Sequence, residues 1–173
     1  MTSIKNMATR LSKAATEAQS RVLSEAVRSA RDYGLHLYLV GGGVRDLLMG
    51  RPLKDLDLSV EGKAAPLSDS LVAALDGEVV MRSQFGTCKL NLLGVTVDIA
   101  IARKETYQRP GALPTVTSDS ISADLLRRDF TVNSMAVRLT PEPMELLDPT
   151  GGRQDVAERR IRILHPSSFR DDA

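Results

Sequence analysis

Cysteine is almost missing from this chain. Cys88 is the single one among 173 residues, which excludes a disulfide framework and a cysteine-built zinc site. In "TCKLNLL" it falls on the same side as Leu90 and Leu92, the place of a small core residue. Long apolar runs are missing too: none approaches the roughly 18 residues of a membrane span, and no signal-peptide core precedes a small-residue cleavage site. An intracellular, cytoplasmic chain with no membrane partner is expected. Charge of one sign is not in excess, since the formal net charge is +1, which neither supports nor excludes a nucleic-acid partner because phosphate contacts need only a local basic surface. With 42% apolar and 26% charged residues, disorder and fibrous repeats are both disfavoured, and the length suits one core.

What is present alternates between helical and strand periods, with no internal repeat and no low-complexity stretch. That pattern predicts an α+β or α/β domain. Residues 1–34 read as one leading helix, marked by Leu11, Ala15, Ala18, Val22, Ala26 and Ala30 and ended near Gly34. Its basic, Ser/Thr-rich start resembles a transit peptide, but Glu17, Glu25 and the continuing helical period argue against one. "HLYLVG", "LDLSVE", "EVVM", "TCKLNLL" and "VTVDIAIA" read as five strands, with "VRDLLMG" and "PLSDSLVAALDG" as helices between them. Gly94 makes a tight hairpin of the last two strands. "QRPGALPTVTS" reads as a loop, "DLLRRDFTVNSMAVRL" as a return to helix, and "MELLDPTGGRQDVAERRIRILHP" as a short strand, a turn, a helix and an extended piece. The ending "SSFRDDA" has the look of a chain cut within an element.

The residues with most to say are "LVGGGVRDLLMGRPLKDLDLSVE". Three glycines in a row are costly in a regular element, so something is meant to come close to that backbone. Strand alternation sends Leu56 and Leu58 to one face and Asp55 and Asp57 to the other. In "VTVDIAIA" it sends Val95, Val97, Ile99 and Ile101 to the core and leaves Asp98 on the opposite face. If those two strands are neighbours, three carboxylates share one surface. At about 4 Å each like-charge pair costs on the order of 4 kcal/mol at an effective dielectric of about 20, so the acids must be protonated, separated or bridged by a cation. Mg²⁺ takes carboxylate oxygens and completes its shell with water and substrate phosphates. Gly41, Gly42 and Gly43 before a helix then make sense as an anion site, to which Arg45 adds a charge-assisted hydrogen bond. In "RRDFTVNSMA", helical spacing puts Asp129 and Asn133 on one face, either as a ligand pair or as an N-cap with surface polar residues.

These blocks, together with "FGTCKLNLLGVTVDIAIARKETYQRPGALP", "DLLRRDFTVNSMAV" and "DPTGGRQDVAERRIRILHPSSFRDD", resemble in order the class II tRNA nucleotidyltransferases (CCA-adding enzymes) and bacterial poly(A) polymerases, within the polymerase β-like nucleotidyltransferase superfamily. The resemblance runs from about Leu35 to the last residue. It implies an α+β catalytic head with a mixed sheet of about five strands flanked by helices. By position, residues 35–140 would be that head and 141–173 the start of a neck region, truncated. The implied chemistry is Mg²⁺-dependent, two-metal transfer of a nucleoside monophosphate from ATP or CTP to an RNA 3′-hydroxyl, in tRNA above all, with release of pyrophosphate. Asp55, Asp57 and Asp98 match the metal-binding acids. Gly41, Gly42 and Arg45 match positions that hold the triphosphate, and Arg128, Asp129 and Asn133 match those that meet the ribose and phosphates. Asp46 and Arg51 would brace the glycine loop, Arg103 would serve the sugar or the "RKETY" to "LPTVTS" segment, and that segment would be a flap.

The family's base-reading neck motif and its body and tail domains have no counterpart in these residues, so a longer chain or a partner chain is expected to supply them. CCA addition, A-only addition and poly(A) synthesis are therefore not separated by the sequence. A reading of a different class is a Mg²⁺-nucleotide-binding module without turnover. Arg153, Arg159, Arg160 and Arg162 are candidates either for an RNA grip or for a solvated helix face.

Overall fold

The computed structural model describes residues 4–84, 86–106 and 115–164. Two helices open the chain, α1 (Ile4–Ala14) and α2 (Glu17–Asp32). The sequence pattern predicts one continuous helix here, and the break at Thr16 corrects that. Thr16 caps α2: its side chain accepts from the Gln19 backbone N–H, and the Gln19 side chain accepts from the Thr16 N–H. This reciprocal pair satisfies two otherwise orphaned donors and makes a new helix start cheaper than continuing the old one.

The strands β1 (His36–Val40), β2 (Leu56–Glu61), β3 (Glu78–Arg82), β4 (Thr87–Leu92) and β5 (Val95–Ile101) form as the alternation predicts, with α3 (Gly42–Leu48) and α4 (Ala64–Leu75) between them. A second, two-stranded sheet pairs β6 (Arg103–Thr106) with β7 (Thr115–Ser118). The chain then forms α5 (Ile121–Leu126), a 3₁₀ turn (Thr131–Asn133), β8 (Ala136–Thr140), β9 (Glu145–Leu147) and α6 (Gly152–Glu158). The main sheet has the order β3-β4-β5-β2-β1-β8-β9, seven strands where about five were expected. Its β2–β5 pair is parallel and its other pairings are antiparallel, so the sheet is mixed.

Two of the expected segments fold differently. "DLLRRDFTVNSMAVRL" is not one helix: α5 ends at Leu126, and "AVRLT" alternates as a strand that joins the sheet beside β1. Val137 and Leu139 go to the main core and Ala136 to the other face, a two-residue period that wins because it completes the sheet. Asp129 and Asn133 therefore share no helix face. "TVTS", read as the end of a loop, is β7. The rest of that loop, 108–114, and the ending 165–173 lie outside the described residues.

The sheet has two unlike faces. Leu37, Leu39, Leu56, Leu58, Val60, Leu90, Val97 and Ile99 pack beneath α1 to α4 in the main core. Each is essentially sealed from water, and each such side chain contributes about 1.5–3 kcal/mol by burial. Cys88 belongs to the same cluster, as its alternation predicts. The opposite face carries a smaller cluster of Tyr38, Val40 and Ala136 under Ile121 and Leu125 of α5. Beyond α5 this face stays polar, and Asp57 and Asp98 lie on it.

The region after residue 140 is packed onto the sheet. β9 pairs with β8, and α6 rests on the 3₁₀ turn so closely that a Cβ on Gly152 would stand 2.1 Å from the Thr131 carbonyl oxygen. Buried Asp155 of α6 accepts from the Thr131 hydroxyl at 2.5 Å and from Arg162 Nε and Nη2 at 3.0 and 2.8 Å. Those partners, the Thr131 hydroxyl first, hold its carboxyl below the usual carboxylate range. A depressed folded value adds stability above the unfolded value near 3.8, and that stability is lost as pH falls through the folded value. Asp155→Asn should accordingly lower the melting temperature by about 5 °C at neutral pH, with the gap to the unaltered chain closing toward pH 3. Melts recorded from pH 7 to pH 3 check this, and a gap of constant size would sink it.

Candidate functional site

The acids come together because β2 and β5 are adjacent and in register. Asp57 is the direct partner of Asp98 across the parallel pair, while Asp55 sits just before β2 and is exposed. Lys89 of β4, on the far side of β5, is in register with Asp98 and reaches its carboxylate at 3.2 Å. Burial pushes the Asp57 carboxyl above its ordinary range, the charges of Asp98 and Asp55 push the same way, and Arg128 and Lys89 oppose them. Burial and like charge together thus disfavour the ionised Asp57 even with two cations nearby.

The glycine turn closes over the same place. Gly41 has φ +67°, in the left-handed region, and a Cβ there would lie 3.0 Å from Arg128 Nη1 and 3.9 Å from Asp57 Oδ2. Gly41, Arg128 and Asp57 converge on one point, and any side chain at 41 would fill it. A Cβ on Gly42 would meet the Arg45 guanidinium at 3.3 Å. Arg45 is held from two directions: its Nε donates to Asp46 Oδ1 at 3.1 Å and its Nη1 to Asn133 Oδ1 at 2.8 Å. A cleft of about 140 Å³ runs between Arg45, Gly42 and Gly43 on one wall and Lys54, Asp55 and Asp57 on the other. At seven residues α3 is too short for its dipole to count for much, so the guanidinium and the turn's own N–H groups carry the anion chemistry.

Of the residues singled out from the sequence, Asp55, Asp57, Asp98, Gly41, Gly42, Arg45, Arg128 and Asn133 lie around this cleft or touch residues that do. Asp129 is placed apart from helical company: it is exposed in the loop after α5, and its backbone carbonyl accepts from Leu164 N–H. Asp46 is buried and braces the turn, its carboxylate on Arg45 and its carbonyl on the Arg51 N–H. Of the four late arginines, Arg162 and Arg160 are tied to Asp155 and Glu158, which is more a structural use than an open basic grip.

Three residues of the site were missed by sequence reading. Lys89 sits in an unremarkable alternating strand, and only the β4–β5 register aims it at Asp98. Lys54 immediately precedes the acids but belongs to no strand period. Gln19, buried in α2, donates to the carbonyls of Leu53 and Lys54 at 3.2 Å each, while Leu53 N–H donates to Ala14 at 3.0 Å. The leading helices thereby hold the two residues before Asp55. The Thr-x-x-Gln spacing is a signal for the cap that the reading of one continuous helix passed over, and nothing local signals this second use of the amide.

The donor set suits a hard divalent cation. Asp57 and Asp98 offer oxygens from neighbouring strands and Asp55 from just before β2, and among the described residues no group of three His, Cys, Asp or Glu side chains is placed to hold a metal ion. An open pair of carboxylates on neighbouring strands is an arrangement that a hard divalent cation can use when water and phosphate complete its shell.

Residues 37–162 match the Poly A polymerase head domain family. The chain is 42% identical over 159 residues to the A-adding tRNA nucleotidyltransferase of Halalkalibacterium halodurans, covering 91% of this chain and 37% of that protein. It is 39% identical over 139 residues to the CC-adding tRNA nucleotidyltransferase of Deinococcus radiodurans, covering 79% and 37%. Among solved structures, a CCA-adding enzyme in apo form II superposes with a TM-score of 0.85 at 36% identity, over 96% of this chain and 40% of that one. The Thermotoga maritima CCA-adding enzyme complexed with tRNA-CCA gives 0.81 at 34% identity, over 96% and 37%. The chain therefore spans well under half the length of these relatives. The matched stretch contains the cleft, its acids and its glycine turn, and the chain belongs to the Poly A polymerase head domain family.

Proposed function

We propose that this chain is the catalytic head of a template-independent tRNA nucleotidyltransferase, transferring a nucleoside monophosphate from ATP or CTP to the 3′-hydroxyl of tRNA. The observation that carries this reading is the in-register pair Asp57 and Asp98 facing a glycine turn with two arginines. Relatives named for A-adding, CC-adding and CCA addition, and neighbours in complex with tRNA, ATP and CTP, support the substrate class. Poly(A) synthesis is the alternative within the same chemistry.

In the proposed reaction the 3′-oxygen forms a bond to the α-phosphorus, the bond from that phosphorus to the α,β-bridging oxygen breaks, and pyrophosphate and one proton are released. Asp55, Asp57 and Asp98 would hold Mg²⁺, which when bound supplies charge to the phosphates and lowers the pKa of the attacking hydroxyl. Gly41 and Gly42 admit the triphosphate close to the backbone, since no Cβ stands in its way. Arg45 is presented to that triphosphate by Asp46 and Asn133, and Arg128 brings a second guanidinium to the Gly41 side. Fixed donors of this kind act on the charge that develops on the leaving pyrophosphate without reorganising. Asp129, exposed and close in sequence to these groups, is proposed to meet the ribose from the loop after α5.

Residues 141–173 are proposed to lead toward a base-reading neck, which a longer chain or a partner chain provides. The head alone then has poor base selectivity. Primer extension with this chain, Mg²⁺, single NTPs and a tRNA lacking its 3′ end tests the reading. Extension is expected, and the Asp55→Ala/Asp57→Ala double variant should reduce it by about a thousandfold or more. Mg²⁺-dependent ATP binding without pyrophosphate release would instead identify a binding module, and no binding at all would refute the site. Gly41→Ala is a separate check. Forcing a Cβ into left-handed backbone costs about 1–2 kcal/mol, and the methyl group displaces Arg128 Nη1. ATP affinity should fall by about tenfold or more with little change in secondary structure, measurable by titration calorimetry and circular dichroism.

A further inference from the structure

One buried carboxylate in the head belongs to none of the roles above. Asp124 of α5 is 2% exposed and accepts from three residues. Its Oδ1 accepts from Arg127 Nε at 3.1 Å, from Arg127 Nη2 at 2.8 Å and from the Arg103 backbone N–H at 3.4 Å. Its Oδ2 accepts from Arg128 Nη2 at 3.0 Å. The rest of the Arg128 guanidinium points the other way: Nη1 donates to the Asn133 carbonyl at 3.5 Å and borders the point beside Gly41 and Asp57. Arg128 Nε is buried and meets no partner.

Geometry explains the division of labour. Arg128 lies just beyond α5, its backbone N–H on the Leu125 carbonyl at 3.4 Å, and an arginine side chain without a partner to hold it has many rotamers to choose from. A guanidinium is a rigid planar fork, and holding one amine fixes where the other points. Asp124 lies four residues earlier, within reach of Nη2, and is itself anchored by the Arg103 N–H and by Arg127. The anchoring matters because Asp124 is then not free to follow Arg128 if the latter swings.

We infer that Asp124 is a positioning residue for the nucleotide, acting through Arg128: it holds one amine of the guanidinium so that the other is aimed at the triphosphate side of the glycine turn. This rests on the nucleotide-site reading above and adds to it a residue that never touches the ligand. Arg127 shares the carboxylate and keeps the local charge balanced when Arg128 turns toward an anion. Without that second arginine, pulling Arg128 outward would leave the buried Asp124 without either of its charge partners.

The test is a double-mutant cycle on ATP affinity in Mg²⁺, measured with the 173-residue chain by titration calorimetry alongside thermal melts. Asp124→Asn should weaken ATP by about tenfold, Arg128→Ala by at least as much, and the double variant should be no weaker than Arg128→Ala within about a factor of two. Losses that multiply would show that Asp124 acts on the fold and not through Arg128, which overturns the inference. Should Asp124→Asn melt below the assay temperature, Arg128→Lys carries the test. A single ammonium keeps the charge but cannot bond Asp124 and face Gly41 together, so its affinity should match Arg128→Ala, and affinity like that of the unaltered chain overturns the inference. The nucleotide-site reading fails in a different way, by absence of ATP binding in the unaltered chain, and the inference falls with it.

Discussion

Asp57 and Asp98 stand opposite each other on adjacent parallel strands, and most of the head can be understood as what that juxtaposition requires. Two carboxylates placed this way repel, and positive charge brought from elsewhere relieves the repulsion. Lys89 comes from the neighbouring strand, Arg128 from the loop after α5, and a divalent cation with substrate phosphate is the proposed remainder. The apolar layer beneath makes the arrangement affordable. Leu56, Leu58, Val97 and Ile99 lock the two strands in register, and a slip of β2 by one residue would turn Asp57 into the core and both leucines to the polar face.

Above that layer, the arginines are arranged so that none of the key ones hangs free. Arg45 lies between Asp46 and Asn133, and Arg128 is held by Asp124. In both cases a buried or half-buried acid takes part of a guanidinium and leaves the rest facing the cleft. An arginine held this way loses less entropy on meeting a phosphate than one drawn from solvent. The cost is a set of buried charges that the fold must keep paired, which is why Asp124 accepts from three residues and Asp155, under the neighbouring 3₁₀ turn, from Thr131 and Arg162.

The leading helices contribute in a way their amphipathic pattern does not advertise. They look like a cover for the sheet, and they are one. Yet Gln19 and the end of α1 also hold the carbonyl of Leu53, the carbonyl of Lys54 and the N–H of Leu53, the last backbone groups before Asp55. Helix α6 does the same service on the other side, through Asp155 and Thr131, for the turn that carries Asn133. The site is therefore supported from both ends of the chain, although its acids and glycines come from the middle.

Much of this was legible without coordinates. The strand alternation of "LDLSVE" and "VTVDIAIA" sorts acids from leucines because a strand has a period of two and one face must be buried, and the glycine run announces a close approach because only glycine leaves that space empty. Local chemistry was enough for these. Where it misled, a longer-range contact had overruled it: "RRDFTVNSMAVRL" has helical spacing, but its second half gains more by completing the sheet next to β1, and "TVTS" becomes a strand because β6 offers it a partner. The identity of the acids, the glycines and the family was determined by the sequence itself. Which partner each cation meets was decided only by the tertiary structure, since Lys89 reaches Asp98 through strand register and Arg45 reaches the Asn133 amide across 88 positions of chain, pairings that no local period encodes.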